Sequence, residues 1–142
     1  MHIPNGATLA YPPGWRPIRS DVDTASAALF GPGEQILGYL NITPQQGQET
    51  LADWSHFRID HNGEEGDRSI VTQAAAAGVR FRTGRGSCVR DSYTTRTSFH
   101  YTELACIVAG RRATTVVVGA ALTKSWRRFS PQLERAISTI TT

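Results

Sequence analysis

Residues 86–109 have the sequence GSCVRDSYTTRTSFHYTELACIVA, which carries the clearest pattern of paired strands in the chain. Two runs rich in β-favouring residues flank a polar segment, Arg96-Thr97-Ser98, which is suited to a turn. The pattern predicts strands over residues 86–95 and 98–109 that pair as an antiparallel hairpin.

The two cysteines of the chain, Cys88 and Cys106, both lie in these predicted strands. A hairpin centred on Thr97 places them directly opposite each other. Closely spaced antiparallel strands bring Cβ atoms near the separation of about 4 Å that a disulfide requires. The spacing therefore predicts a disulfide within the sheet. Two reduced thiols that pack as small apolar side chains are the alternative.

The same register pairs polar side chains on the other face of the hairpin. It sets Asp91 opposite Glu103 and Tyr93 opposite Tyr101. Facing carboxylates repel, and burial raises the pKa of one of them, which is how such pairs become a general acid and base. These four residues are the candidate polar cleft of a small enzyme or a ligand-binding protein.

Two further features bear on that cleft. A turn over Gly110-Arg111-Arg112 would set Gly119 opposite Glu103 and leave open space beside the carboxylates. The alternative is that a neighbouring arginine such as Arg90 neutralises the pair, or that the register differs by a residue or more.

Outside this hairpin, periodicity predicts the remainder of an α+β domain. Further strands are predicted over 7–11, 15–18, 27–30, 35–43, 69–76, 79–83 and 113–122. Thr50 as a cap predicts a helix over 51–61. A second helix is predicted from Ser130 as its cap and Pro131 as its first residue. Its inward stripe is Leu133, Ala136, Ile137 and Ile140. We therefore predict one domain over residues 1–142, a single antiparallel sheet of about six or seven strands with helices packed on it.

The order of these elements resembles that of a known superfamily. Its local markers are Tyr11-Pro12-Pro13-Gly14-Trp15 near the start and the segment from Trp126 to Ile140. Over essentially the whole chain the pattern resembles the PsbP and Mog-type superfamily, in which an antiparallel sheet is sandwiched between helices. The resemblance implies no catalytic residue. It implies docking onto other proteins, as in the extrinsic photosystem subunit and the Ran-binding nuclear transport factor, while many bacterial relatives are lipoprotein-like domains of unknown role.

Charge is distributed unevenly along the chain. Residues 1–71 hold 4 basic and 9 acidic side chains, whereas residues 72–142 hold 11 and 3. The basic half is a candidate surface for nucleic acid or another anionic partner. Solvated strand faces without a ligand are the alternative, favoured by the lack of a binding motif. The arginines concerned are Arg80, Arg82, Arg85, Arg96, Arg111 and Arg112.

One face of the first predicted helix carries Asp53, His56 and Asp60. At this spacing one imidazole and two carboxylates are near enough to approach a single metal ion. Solvated helix faces collect such residues routinely, so we predict neither a metal nor another cofactor.

Trp126 lies in the predicted loop before the last helix, next to Arg127 and Arg128. Core packing is the usual role of a tryptophan. If Trp126 is exposed, these three residues form a candidate anchor for a partner, because Trp and Arg are enriched at interface hot spots.

The sequence contains no run long enough for a membrane span and no catalytic motif, and its first residues do not resemble a secretory signal. We expect an extracytoplasmic protein if Cys88 and Cys106 are bonded and a leader has been removed, and a cytoplasmic one if the chain is complete as given. The expected function is a non-catalytic module that docks onto a protein partner. A small enzyme or ligand-binding protein, or an arginine-mediated nucleic-acid binder, is the alternative.

Overall fold

The computed structural model describes residues 1–142, and its centre is a seven-stranded antiparallel sheet. The strands are β1 (Arg16–Ile18), β2 (Ala25–Phe30), β3 (Ile36–Pro44), β4 (Arg68–Arg80), β5 (Arg85–Thr94), β6 (His100–Ala109) and β7 (Thr114–Leu122). They lie in the order β1-β2-β3-β7-β6-β5-β4. The helices are α1 (Trp54–Glu64) and α2 (Trp126–Ser138). Neither has the length and apolar character needed to cross a membrane. The predicted α+β class is confirmed.

The two helices cover opposite faces of the sheet, because successive side chains of a strand point to opposite sides. On one face, Leu40 and Cys106 pack with Leu133 of α2 in the larger core cluster. On the other face, Trp54 of α1 packs against Ala105, and its indole N–H donates to the Ala105 carbonyl at 2.9 Å. The sheet thus has a separate apolar core on each side.

The central hairpin has the predicted register. Cys88 pairs with Cys106 across β5 and β6, and the two form a disulfide with Cα atoms 4.1 Å apart. The same ladder sets Asp91 opposite Glu103. The polar pair and the disulfide therefore lie on opposite faces of one hairpin.

The following hairpin, between β6 and β7, differs by one residue from the prediction. Gly119 lies opposite Leu104 and not opposite Glu103. The Gly110 N–H donates to the Ala113 carbonyl at 3.0 Å, so the turn has two central residues where three were predicted. A slip of one residue moves side chains to the other face of a sheet. Gly119 consequently lies beneath α2 and opens no space beside the carboxylates.

Both helices begin at other residues than predicted. α2 starts at Trp126, where Ser130 was the predicted cap, and it continues through Pro131. Phe129 in its first turn is buried in the core, which offsets the backbone hydrogen bond that Pro131 cannot donate. α1 starts at Trp54, because the Thr50 hydroxyl accepts the Asp53 N–H at 3.1 Å in a turn that precedes the helix.

Two strand predictions are also wrong. Residues 7–11 form no strand: Thr8 makes isolated bridges to His2 and Thr141, while the buried side chains beside it fill the core. Residues 68–80 form one edge strand where two were predicted. Gly78, at φ 67°, lets β4 continue through an irregular stretch of its pairing with β5.

Candidate functional site

α1 closes over the polar pair of the β5–β6 hairpin. Arg58 donates from Nε to Glu103 Oε1 at 2.9 Å and from Nη2 to Oε2 at 3.1 Å. Asn62 Nδ2 donates to Oε1 at 3.1 Å, and the Tyr93 hydroxyl donates to Oε2 at 3.2 Å. Glu103 thus accepts four hydrogen bonds while only 1% exposed.

This cluster fastens α1 to the sheet. Burial and the Glu103 carboxylate both raise the pKa of the Tyr93 hydroxyl far above its ordinary value, so the phenol keeps its proton. The bidentate pairing with Arg58 is among the strongest geometries for a carboxylate. The geometry therefore supports the alternative in which an arginine neutralises the carboxylate pair. The arginine is Arg58 of α1 and not Arg90.

Asp91 is the second carboxylate of the pair, and it is fully buried. The Thr72 hydroxyl donates to its Oδ1 at 2.8 Å, while Oδ2 has no hydrogen-bond partner. Burial, together with the nearby Glu103 charge, raises the pKa of Asp91.

A groove of about 320 Å³ lies beside this cluster, between α1 and strands β3 and β7. Tyr93 and Glu103 line it, whereas Asp91 and Tyr101 do not. The rings of Tyr93 and Tyr101 stack with their centroids 6.4 Å apart. The structure therefore brings two of the four predicted cleft residues into one cavity.

A smaller pocket of about 220 Å³ adjoins this groove and shares Arg58 and His61 with it. Glu49, which is 5% exposed, lines the smaller pocket. Its Oε1 accepts the Gln46 N–H at 2.7 Å, but its Oε2 has no partner. A buried carboxylate oxygen without a donor is suited to a cationic ligand.

Trp126, the predicted partner anchor, is partly buried and packs against the core under α2. The adjacent Arg127 and Arg128 are exposed. A different aromatic side chain, Phe99, is 48% exposed. Phe99 belongs to the strand predicted over residues 98–109, whereas the structure places it in the turn between β5 and β6.

Phe99 lines a groove of about 450 Å³ where β3 begins and β7 ends. We call this cavity the Phe99 groove. Leu122 supplies further apolar surface, Lys124 supplies a positive charge, and His100 supplies an imidazole ring. Its lining residues are Gln35, Ser98, Phe99, His100, Leu122, Thr123 and Lys124.

The arginines predicted as an anionic-partner surface divide between the two ends of the sheet. Arg96 lies in the β5–β6 turn, at the same end of the sheet as the Phe99 groove. The other five lie at or near the opposite end, in or beside the β4–β5 and β6–β7 turns. They are Arg80, Arg82, Arg85, Arg111 and Arg112.

The polar face of α1 offers no metal centre. Asp53, His56 and Asp60 are all exposed. No group of three or more His, Cys, Asp or Glu side chains in the chain is arranged to hold a metal ion.

Comparison with known proteins informs on the fold. No family model matches the chain, and no curated protein matches its sequence. The solution structure of cyanobacterial PsbP (CyanoP) from Synechocystis sp. PCC 6803 superposes with a TM-score of 0.66 at 14% identity, over 97% of this chain and 87% of that protein. The chain has a PsbP-like fold.

Two further solved structures share this PsbP-like fold. LpqN of Mycobacterium tuberculosis, described as involved in cell envelope biogenesis, matches with a TM-score of 0.60 at 14% identity, over 96% of this chain and 82% of its own. PA94 of Pseudomonas aeruginosa, a protein of unknown function, matches with a TM-score of 0.65 at 13% identity and 96% coverage of both chains. At such identities the likeness concerns the PsbP-like fold alone.

Proposed function

We propose that this protein is a non-catalytic docking module, and that its Phe99 groove binds an acidic segment of a partner protein through one apolar anchor side chain. The observation that carries the proposal is the exposed aromatic in a concavity. Phe99 is 48% exposed and lines the groove together with Leu122. Exposed apolar surface beside a cavity with a polar rim is typical of interaction sites.

The charges around the groove favour an acidic occupant. Lys124 lines the groove, and Arg127 and Arg128 follow it at the start of α2. None of the three takes part in a salt bridge within the chain. An acidic segment is attracted to these charges, whereas a second copy docked through its own Phe99 groove would present the same positive charges to them.

The polar cluster under α1 supports a non-catalytic role. Arg58 and Glu103 satisfy each other in a bidentate pair, so the carboxylate is engaged where a general base would need to be free. The Tyr93 hydroxyl donates to the same carboxylate. These contacts account for the cluster as a structural connection between α1 and the sheet.

An extracytoplasmic location is part of the proposal. The Cys88–Cys106 disulfide supports it, since disulfides persist mainly in oxidising compartments. One structural neighbour, LpqN, is described as involved in cell envelope biogenesis, which is compatible with that location.

Selection of displayed random peptides on the immobilised protein tests the docking proposal. We expect the enriched peptides to share one bulky apolar residue flanked by Asp or Glu. Their binding should be lost with Phe99→Ala and retained with Val22→Ala, a matched control because Val22 is 87% exposed and does not line the groove.

Three results would overturn the proposal. The first is enrichment of basic peptides or of none, and the second is binding that survives Phe99→Ala. The third is a concentration-dependent dimer, seen by analytical ultracentrifugation, that Phe99→Ala dissociates. That last outcome would assign the groove to a second copy of the chain.

Glu49 favours a second candidate function, the binding of a small organic cation. Its buried Oε2 has no hydrogen-bond partner, and Glu49 lines the same pocket as Arg58 and His61. Calorimetric titration with 1,4-diaminobutane should show binding that Glu49→Gln abolishes. Equal heats from the two proteins would contradict this candidate.

A further inference from the structure

A polar cavity of about 460 Å³ lies at the end of the sheet opposite the Phe99 groove. Its lining residues are Arg82, Thr83, Arg111, Arg112, Thr141 and Thr142. We propose that this cavity, the arginine pocket, binds a phosphate group, carried either by a soluble phosphate compound or by the headgroup of an anionic lipid.

The arginines of the pocket are not paired with any acidic side chain. Arg82, Arg111 and Arg112 are exposed, and none of them forms a salt bridge within the chain. Few carboxylates are available to pair with them, since residues 72–142 contain only 3 acidic side chains. Planar guanidinium groups bind phosphate oxygens through paired hydrogen bonds, and threonine hydroxyls can add single ones.

Glycines allow the two arginine-bearing turns to approach each other closely. A Cβ atom on Gly84, in the β4–β5 turn, would collide with the Ala109 carbonyl at the end of β6. A Cβ atom on Gly110, in the β6–β7 turn, would collide with the Thr142 carbonyl. This close approach sets Arg82 beside the arginine pair of the neighbouring turn.

Thr141 and Thr142 form the third side of the pocket, and Thr142 is hydrogen-bonded to both turns. The Thr142 N–H donates to the Thr83 hydroxyl at 2.9 Å, and the Thr142 hydroxyl donates to the Ala113 carbonyl at 2.7 Å. The backbone around the pocket is therefore positioned before any ligand binds. Such preorganisation lowers the entropic cost of binding.

The lining selects phosphate over the other anionic partners considered. All lining residues are arginine or threonine, so the pocket contains no hydrophobic side chain that could hold an apolar anchor of an acidic peptide. Arg96 lies at the far end of the sheet, so the basic residues do not form one continuous track along which a nucleic-acid backbone could run.

Titration with inorganic pyrophosphate at low ionic strength tests the pocket. We expect Arg111→Gln combined with Arg112→Gln to weaken binding by at least about tenfold, since hydrogen bonds between charged groups are lost. The matched control is Arg19→Gln combined with Arg68→Gln, which removes two exposed charges that line neither this pocket nor the Phe99 groove and should leave the affinity unchanged. Arg111→Lys combined with Arg112→Lys keeps the charge and should bind at an intermediate affinity.

Two additional ligands distinguish the source of the phosphate. Binding to phosphatidylglycerol vesicles, absent with phosphatidylcholine vesicles and competed by pyrophosphate, would indicate a lipid headgroup. Pyrophosphate binding without vesicle binding would indicate a soluble ligand. Both results support the pocket.

Other outcomes would overturn it. These are no pyrophosphate binding, an equal loss in both double glutamine variants, or tight binding of a DNA duplex that pyrophosphate does not displace. The last result would replace the pocket with a nucleic-acid surface, whose affinity would fall steeply with salt.

Discussion

Arg58 and Glu103 form a buried bidentate ion pair that connects α1 to the centre of the sheet. Asn62 and Tyr93 donate to the same carboxylate, so each of its oxygens accepts two hydrogen bonds. The pair closes the polar side of the β5–β6 hairpin, whose other side carries the Cys88–Cys106 disulfide.

Loss of one partner should destabilise the protein strongly. Arg58→Ala leaves the Glu103 carboxylate buried without its counter-charge, and we expect the free energy of unfolding to fall by about 3–5 kcal/mol. Urea denaturation at neutral pH measures this. The double variant Arg58→Met with Glu103→Leu removes both charges and should recover most of the loss. A loss below about 1 kcal/mol for Arg58→Ala would show that the pair is solvated.

Asp91 should make stability depend on pH. Burial raises its pKa, so above the ordinary aspartate value of about 3.9 the folded protein holds a proton that the unfolded chain has released. Stability from this group is present below that value and is lost as pH rises through the raised pKa. Asp91→Asn should flatten the fall seen by urea denaturation in weakly acidic buffers. Asp67, whose pKa burial also raises, contributes equally to both proteins. Parallel pH profiles would contradict the prediction.

Reduction of the Cys88–Cys106 disulfide should lower stability. The bond joins residues 18 positions apart. A disulfide that closes a loop of this size typically raises the free energy of unfolding by about 2–4 kcal/mol. The comparison is the urea midpoint with and without reductant, and the double variant Cys88→Ala with Cys106→Ala should not respond to reductant. Intact mass after alkylation without reductant provides a second measurement. Labelling of both thiols in the native protein would contradict the assignment.

Gly84→Ala should separate the two turns of the arginine pocket. The new methyl group would overlap the Ala109 carbonyl, and we expect a destabilisation of about 1–3 kcal/mol. Gly63→Ala is the control, because its Cβ lies 3.9 Å from the nearest side chain and α1 should tolerate it. Thermal unfolding of the two variants makes the comparison, and equal midpoints would argue against close packing of the turns.

The β5–β6 hairpin was predictable from the sequence because its signals are local. Cys88 and Cys106 lie at equal distances from the polar turn, and the same register follows for Asp91 and Glu103. The β6–β7 register was missed because Gly110-Arg111-Arg112 fits a three-residue turn as well as a two-residue one, and only the observed Gly110–Ala113 hydrogen bond distinguishes them.

Arg58 was missed because an arginine in an amphipathic helix usually faces solvent. The spacing of Leu51, Trp54 and Phe57 predicts one inward face for this helix, but the buried residues of α1 are Trp54, Arg58 and Asn62. The buried face of α1 includes Arg58 and Asn62 because the buried Glu103 carboxylate requires hydrogen-bond donors from the helix above it. That relationship depends on which helix covers which strands.

The Phe99 groove and the arginine pocket could not be predicted for a related reason. Each lies where turns from non-adjacent parts of the chain meet, and this depends on the strand order of the sheet. The sequence identifies the arginines as an excess of charge. It does not show that Arg82 meets Arg111 while Arg96 lies at the other end.

Charge reversal at the rim of the Phe99 groove tests the docking proposal most directly. The measurement is the affinity of an acidic peptide with one central Leu, and of its Lys-substituted counterpart, for the native protein and for Lys124→Glu. We expect the native protein to prefer the acidic peptide, Lys124→Glu to prefer the basic one, and Phe99→Ala to bind neither. An unchanged preference in Lys124→Glu, or undiminished binding by Phe99→Ala, would show that the partner docks elsewhere.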